Sequence, residues 1–147
     1  MYQRILVPLD GSKRAEAILP QVESLARQCG ARIILLEVLE PLTHYAATVV
    51  PELISAGATQ RTAGVKQYVH ELQANLQARG LTVDAIVKRG PIVETILDVA
   101  RDEAVDLIAL ASHGYSGLTR LLHGSVAAEI LHRARTPLLI QHVEDDA

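Results

Sequence analysis

The sequence of 147 residues contains no tryptophan, no phenylalanine and a single cysteine, Cys29. One cysteine excludes an intramolecular disulfide and any metal site built from several thiolates. Without the largest aromatic side chains, the core has to be built from leucine, isoleucine, valine and alanine, and apolar residues make up 49% of the chain. Such a composition is typical of helices packed on a parallel sheet whose strands are buried on both faces.

The chain also lacks an excess of basic residues, a signal-peptide pattern and any long apolar run. Its 14 lysines and arginines stand against 17 aspartates and glutamates, which gives a formal net charge of −3. This balance argues against nucleic acid as a partner. No apolar segment reaches membrane-spanning length, and no leader pattern precedes the first apolar run. We therefore expect a cytoplasmic protein without membrane association, folded as one domain over residues 1–147.

Short apolar runs alternate with amphipathic helical patterns along the whole chain. The runs predicted to be strands are Ile5–Leu9, Arg32–Val38, Leu81–Val87, Leu107–Ala111 and Leu138–Val143. In the segments between successive strands, apolar residues recur at helical spacing. The alternation predicts βαβ units, and hence an α/β fold in which a parallel sheet carries helices on both faces.

Two segments interrupt this regular pattern. The first helix is expected to run from Ser12, which is a good N-cap, to Gly30, with a kink at Pro20. The stretch from Leu39 to Thr59 contains two prolines and a glycine and has no clean periodicity. It is predicted to be a long loop, a type of segment that is often functional.

The loops that follow the strands are where the sequence predicts a ligand site. In an open doubly wound sheet, ligands bind beyond the carboxyl ends of the strands, where the winding reverses. After the fourth strand the chain carries Gly114 and Gly124, and Ser125 opens a helix. The free N–H groups of a helix N-terminus suit a phosphate, and glycine lets the backbone approach a ligand closely. Taken alone, these residues fit an ordinary turn and cap equally well.

Asp10 ends the first strand, where a carboxylate can accept hydrogen bonds from the two hydroxyls of a ribose. The alternative is an ordinary turn aspartate. His113, beside the glycine loop, is either a phosphate contact or a solvated side chain. Motifs for a phosphate-binding P-loop, a dinucleotide fingerprint, a hydrolase nucleophile elbow and a zinc protease helix are all missing. With no evident nucleophile next to a base, an enzyme is the weakest of the functional alternatives.

Three segments together resemble the universal stress protein family. Ile5–Ser12, which reads I-L-V-P-L-D-G-S, is similar to that family's opening strand and turn. Ala111–Ser125 resembles its signature G-x2-G-x9-G-[ST], and Thr136–Ile140 resembles its last strand. The resemblance implies a three-layer, Rossmann-like fold of the adenine nucleotide alpha hydrolase type. Its five-stranded parallel sheet has the order 3-2-1-4-5, with helices on both faces.

The same resemblance implies the residues of an adenine-nucleotide site. They are Asp10, Val38, Ala111, His113, Gly114, Gly124, Ser125 and Val126. Asp10 is expected to hold the ribose, the backbone at Val38 to read the adenine edge, and the later signature residues to hold the phosphates. Ala111 stands where the signature has its first glycine, so that a methyl group lies where the backbone approaches the ligand.

We therefore expect a stress-response or signalling module that binds ATP or AMP, with Mg²⁺, and hydrolyses ATP slowly if at all. The alternative is an interaction module with a vestigial crevice; in either case a regulatory protein partner is expected and not identified. In the implied order, strand 5 lies at an edge, and Leu138–Val143 has no proline or lysine to prevent pairing. This predicts a homodimer through strand 5.

Overall fold

The computed structural model describes residues 1–41, 51–113 and 126–144, with the backbone alone for residues 51–58 and His113. The strands in these ranges are β1 (Arg4–Leu9), β2 (Arg32–Leu39), β3 (Val83–Arg89), β4 (Leu107–His113) and β5 (Leu138–Val143). They form one parallel sheet in the order β3-β2-β1-β4-β5. The predicted α/β class and strand order are confirmed.

Helices cover both faces of this sheet. Within the described ranges they are α1 (Lys13–Glu16), α2 (Leu19–Cys29), α3 (Pro51–Ala78), α4 (Ile92–Asp102) and α5 (Val126–Arg133). One apolar cluster joins α2 and α3 to the sheet, and a second joins α4 and α5 to its other face. None of the described helices combines the length and the hydrophobicity needed to cross a membrane.

The central strands explain why the sequence shows continuous apolar runs rather than alternation. In β1, Ile5 and Val7 pack toward α2 and α3, while Leu6 between them packs toward α4 and α5. All three side chains are fully buried. Burying such a side chain is worth about 1.5–3 kcal/mol, so the sheet centre is the main source of stability.

The first helical segment is broken rather than kinked, and the prediction of one continuous helix was wrong. Ser12 caps α1, and its Oγ accepts a hydrogen bond from the Ala15 N–H at 3.1 Å. A second helix, α2, begins at Leu19, with Pro20 in its first turn. There the missing N–H of proline removes no intrahelical bond. Gly30 ends α2 with a left-handed φ of 66°, as expected.

The long loop predicted for Leu39–Thr59 was wrong over its second half, because α3 begins at Pro51 and runs for 28 residues. Proline fits the first turn of a helix, and an internal glycine costs only about 1 kcal/mol relative to alanine. Pro51 and Gly57 are therefore compatible with a helix that the sequence pattern did not show. Residues 42–50 of the predicted loop lie outside the described residues.

Three strands extend further toward the ligand edge than predicted, and β2 does so by one residue, to Leu39. β3 continues to Arg89, which pairs in register with Leu39, and β4 continues to His113, which pairs with Val143. Pairing with a neighbouring strand supplies hydrogen-bond partners that local composition does not reveal. Residues expected in loops, Ser112 among them, are consequently fixed within the sheet.

Candidate functional site

The carboxyl ends of β1, β2 and β4 surround a cavity of about 370 Å³. Chain order runs outward from β1 through β2 to β3, and then resumes on the other side of β1 with β4. The cavity therefore lies at the point where the winding reverses, as the position of ligand sites in such sheets predicts. Its volume falls within the range of about 300–1,000 Å³ that is usual for small-molecule sites.

Four of the eight residues implied in the site line this one cavity. They are Asp10, Val38, Ala111 and Val126. His113 ends β4, and its side chain is not described. Gly114, Gly124 and Ser125 lie outside the described residues. The four that are described come from four different elements or turns and meet only because β4 lies beside β1.

Apolar side chains form most of the cavity wall. Leu36 and Val38 come from β2, and Ile92 and Ile96 project from α4 on the same face of the sheet. Parallel strands alternate their side chains between the two faces, which puts Leu36 and Val38 together. The wall is therefore suited to the flat, weakly polar surface of a heterocyclic ring.

Asp10 supplies a carboxylate at the exposed rim of the cavity. Its Oδ1 accepts a hydrogen bond from the Ser12 N–H at 2.9 Å, and Gly11 between them has a left-handed φ of 85°. This side-chain turn holds the carboxylate in place. Because each carboxylate oxygen can accept more than one hydrogen bond, Asp10 can still bind hydroxyl groups of a ligand.

Ala111 lines the cavity and also packs against the apolar cluster on the α2 and α3 side of the sheet. Its methyl group therefore has apolar neighbours within the protein. The structure accommodates a residue larger than glycine at the first position of the signature without removing the cavity.

A serine–histidine contact was not foreseen from the sequence. Ser112 and His142 are register partners on β4 and β5, and Ser112 Oγ lies 3.1 Å from His142 Nδ1. Ser112 is buried and lines the cavity, whereas His142 is exposed. A hydroxyl in contact with an imidazole is one component of a nucleophilic site. We expected no nucleophile next to a base, and this expectation was wrong. The register of β4 and β5 brings the Ser112 hydroxyl into contact with the His142 imidazole.

Glu37 was also missed, because it lies within an otherwise apolar strand. Its side chain is on the α2 and α3 side of β2, is not among the residues that line the cavity, and is only 6% exposed. Burial, followed by the charge of Asp10, raises the pKa of Glu37 to about 7, and Arg61 opposes this rise. The sheet thus carries an unusual buried acid directly behind the candidate site.

These features define a class of protein. The molecule is a Rossmann-like α/β protein with a largely apolar crevice at its switch point and a carboxylate on the rim. The family model described as the universal stress protein family matches residues 1–142. The chain belongs to the universal stress protein family.

Comparison with individual relatives agrees with this assignment. Universal stress protein MJ0577 of Methanocaldococcus jannaschii is 27% identical over 153 residues, which cover 95% of this chain and 94% of that protein. A solved structure of MJ0577 matches with a TM-score of 0.83 at 28% identity, covering 100% and 99% of the two chains.

Two further solved structures are similar in fold. A universal stress protein in complex with cAMP has a TM-score of 0.73 at 22% identity and covers 96% of this chain and 97% of its own. A universal stress protein family protein from Arabidopsis thaliana with AMP bound has a TM-score of 0.70 at 16% identity, with coverages of 98% and 93%.

Proposed function

We propose that this protein binds an adenine nucleotide in the crevice and acts as a stress-response or signalling module. The observation that carries the proposal is the meeting of Asp10, Val38, Ala111 and Val126 around one cavity at the winding reversal. A nucleoside phosphate needs a carboxylate for its ribose, a strand end for its base, a position where the backbone approaches it closely, and a helix N-terminus for its phosphates.

The nucleotide is proposed to lie across the sheet edge from β2 toward α5. The adenine ring packs between Val38 and the α4 side chains Ile92 and Ile96, with its polar edge toward the backbone of Val38. The ribose hydroxyls donate to Asp10. The phosphates lie toward Val126, where the partial positive charge of the α5 N-terminus favours an anion.

The proposed phosphate contacts also include Gly114, Gly124 and Ser125, with His113 beside them. These assignments rest on the signature alone, because the first three lie outside the described residues. The relatives with cAMP and AMP bound support adenine and ribose as the shared part of the ligand. ATP is the proposed ligand of this chain, with AMP as the alternative.

Mg²⁺ is proposed to accompany ATP as a counterion of the phosphates. The described residues contain no group of three or more histidine, cysteine, aspartate or glutamate side chains arranged to hold a metal ion. They therefore offer no preformed metal site of that kind, and no protein ligand is assigned to Mg²⁺. We propose that hydrolysis is slow or absent, because the walls of the crevice are mainly apolar and the proposed site assigns no residue as a base that activates water.

The protein is further proposed to be a cytoplasmic homodimer that acts on an unidentified regulatory protein partner. β5 pairs with β4 along one side only and is an edge of the sheet. The Ile108 N–H donates to Pro137 O, and the alternation along a parallel strand then turns the Ile140 N–H away from β4. Two copies of β5 can pair through such outward groups and close the assembly.

Calorimetric titration tests the proposed ligand. Wild-type protein should bind ATP with Mg²⁺, and the Asp10→Ala and Gly124→Val variants should bind it weakly. Asp102→Ala is a matched control, because Asp102 is an exposed aspartate at the far end of α4. Unchanged affinity in both site variants would show that the assigned site is wrong. Mass spectrometry of the denatured purified protein should detect co-purified ATP or AMP, whereas the interaction-module alternative predicts neither.

A further inference from the structure

Three polar side chains, one buried and two half-buried, interact with one another on the side of the sheet that carries α2 and α3. We call Glu16, Glu37 and Tyr68 the acid cluster. Glu37 Oε2 is buried and lacks a hydrogen-bond partner within the described part of the chain. Glu16 Oε2 lies 3.6 Å from Lys13 Nζ, and the Tyr68 hydroxyl interacts with Glu16. A buried polar atom without a partner costs about 1–3 kcal/mol, so the buried carboxyl group of Glu37 calls for a functional explanation.

Glu37 lies directly behind the turn that presents Asp10. In the sheet register Glu37 is opposite Leu9, the residue before Asp10. A Cβ atom built on Gly11 would lie 3.8 Å from Glu37 Oε1, which is ordinary van der Waals contact. The carboxyl group of Glu37 therefore lies close to the same turn that presents the proposed ribose contact.

The surroundings of Glu37 are dominated by negative charge. Asp10 faces it from the turn and favours its neutral form. The pKa of Tyr68 on α3 is raised first by burial, then by its hydrogen bond with Glu16 of α1, and then by the charges of Glu16, Glu37 and Asp10. On α3, Arg61 offers partial compensation, but its guanidinium donates to the Glu40 carbonyl at 3.0 Å.

The neighbouring strand adds no compensating charge at close range. On β3 the register partner of Glu37 is the apolar Val87. Arg89, on the same strand, donates to Thr62 Oγ1 instead. A neutral Glu37 relieves the crowding of negative charge in the acid cluster, because it removes one buried charge.

We propose that Glu37 is a proton-binding site coupled to the crevice, so that an anionic nucleotide bound against the Asp10 turn draws a proton onto Glu37. Additional negative charge at the crevice favours the neutral form of Glu37. By linkage, the neutral form must then favour nucleotide binding to the same extent. The affinity for an anionic nucleotide falls as the pH rises through neutrality. This inference rests on the proposed function and adds a regulatory input to the same site.

The size of the effect follows from the same linkage. Each unit by which a bound nucleotide raises the proton affinity of Glu37 corresponds to a tenfold change in nucleotide affinity. We expect affinity for ATP to fall roughly three- to tenfold between about pH 6 and about pH 8.5. AMP carries less charge than ATP measured without Mg²⁺ and should show a smaller fall than that ligand.

Calorimetry in buffers of different ionisation enthalpy measures the proton directly. Wild-type protein should take up a fraction of a proton when it binds ATP near neutral pH. Glu37→Gln, which resembles the neutral acid in shape, should bind ATP without proton uptake and with little pH dependence. Glu40→Gln, an exposed neighbour, should behave like the wild type. Proton uptake that persists in Glu37→Gln, or that is absent from the wild type while ATP binds, refutes the coupling.

A second measurement tests the proton-binding site of Glu37 in the absence of any nucleotide. The carboxyl carbon of Glu37, followed by NMR in the nucleotide-free protein, should titrate near neutral pH, and Asp10→Asn should lower its midpoint. A midpoint in the ordinary glutamate range would refute the inference even if ATP binds. Failure of ATP and AMP to bind at every pH would instead refute the proposed function.

Discussion

Replacing Glu37 with glutamine should change the stability of the protein in a pH-dependent way. Burial and the charge of Asp10 raise the pKa of Glu37 from 4.5 to about 7 in the folded state. In the unfolded chain the carboxyl loses its proton near its ordinary pKa. Between these two values the unfolded state binds fewer protons than the folded state, so the free energy of unfolding falls as the pH rises. Above about pH 7 the loss is complete and stays constant.

The magnitude follows from the width of that window. A difference of one pKa unit is worth about 1.4 kcal/mol. The difference between the two pKa values therefore limits the stability lost on ionisation of Glu37 to about 3 kcal/mol. Glu37 lies just below a turn at the surface, where water lowers the electrostatic cost, and we therefore expect about 2 kcal/mol. Glutamine has almost the same shape and does not ionise. Glu37→Gln should be more stable than the wild type by about this amount near pH 8 and should lose the advantage near pH 4.5.

Urea denaturation at a series of pH values measures this difference. The slope of the free energy against urea concentration should be the same for both proteins, because the surface exposed on unfolding does not change. Glu40→Gln is the control, since an exposed carboxylate should leave the pH profile unaltered. A Glu37→Gln variant whose stability differs from the wild type by the same amount at every pH would refute the reasoning, because a constant difference reports packing and not ionisation.

Three further predictions concern the site, a turn and the sheet edge. Asp10→Ala should weaken ATP binding by about tenfold or more in calorimetry, because it removes charge-assisted hydrogen bonds worth about 1.5–3 kcal/mol each; retained affinity would exclude Asp10 as the ribose contact. Gly90→Ala should destabilise the protein by at least about 1–2 kcal/mol in urea denaturation. Gly90 has a φ of 150°, and a Cβ there would lie 2.7 Å from Thr95 Oγ1. An unchanged urea midpoint would show that alanine causes no strain at this position. Ile140→Pro should weaken self-association in sedimentation experiments, because it removes a donor from the outer edge of β5; a monomeric wild type at about ten micromolar would contradict the dimer itself.

The sequence was sufficient for the features that depend on local chemistry. The apolar runs predicted the strands, Ser12 predicted a helix cap, and Gly30 predicted a helix end. The order of the strands came from the resemblance, since composition does not determine which strands are neighbours. The position of Asp10 beside Ala111 depends on that order, because β4 lies next to β1.

Other features could not be predicted because they arise from pairing and packing. Ser112 and His142 are 30 residues apart and meet through the β4–β5 register. Glu37 is a single acid in an apolar strand, and its burial follows from the helices that cover that face. The start of α3 was missed because Pro51 and Gly57 disfavour a helix interior on average, whereas their actual cost depends on position.

The length of α3 has a consequence for how firmly its two ends are held. Its 28 residues extend over about 42 Å, whereas the eight residues of β2 extend over about 26 Å, so the helix projects beyond the sheet. Gln73 and Gln77 fasten the later part to the carbonyl of Val83 at the start of β3, and Arg61 contacts Glu40 near the end of β2. The turns before Arg61 therefore extend past the carboxyl edge. Amide protons should exchange with solvent sooner in those turns than around Val69 and Leu76, which lie against the sheet. The backbone hydrogen bonds of one continuous helix should therefore open at two different rates.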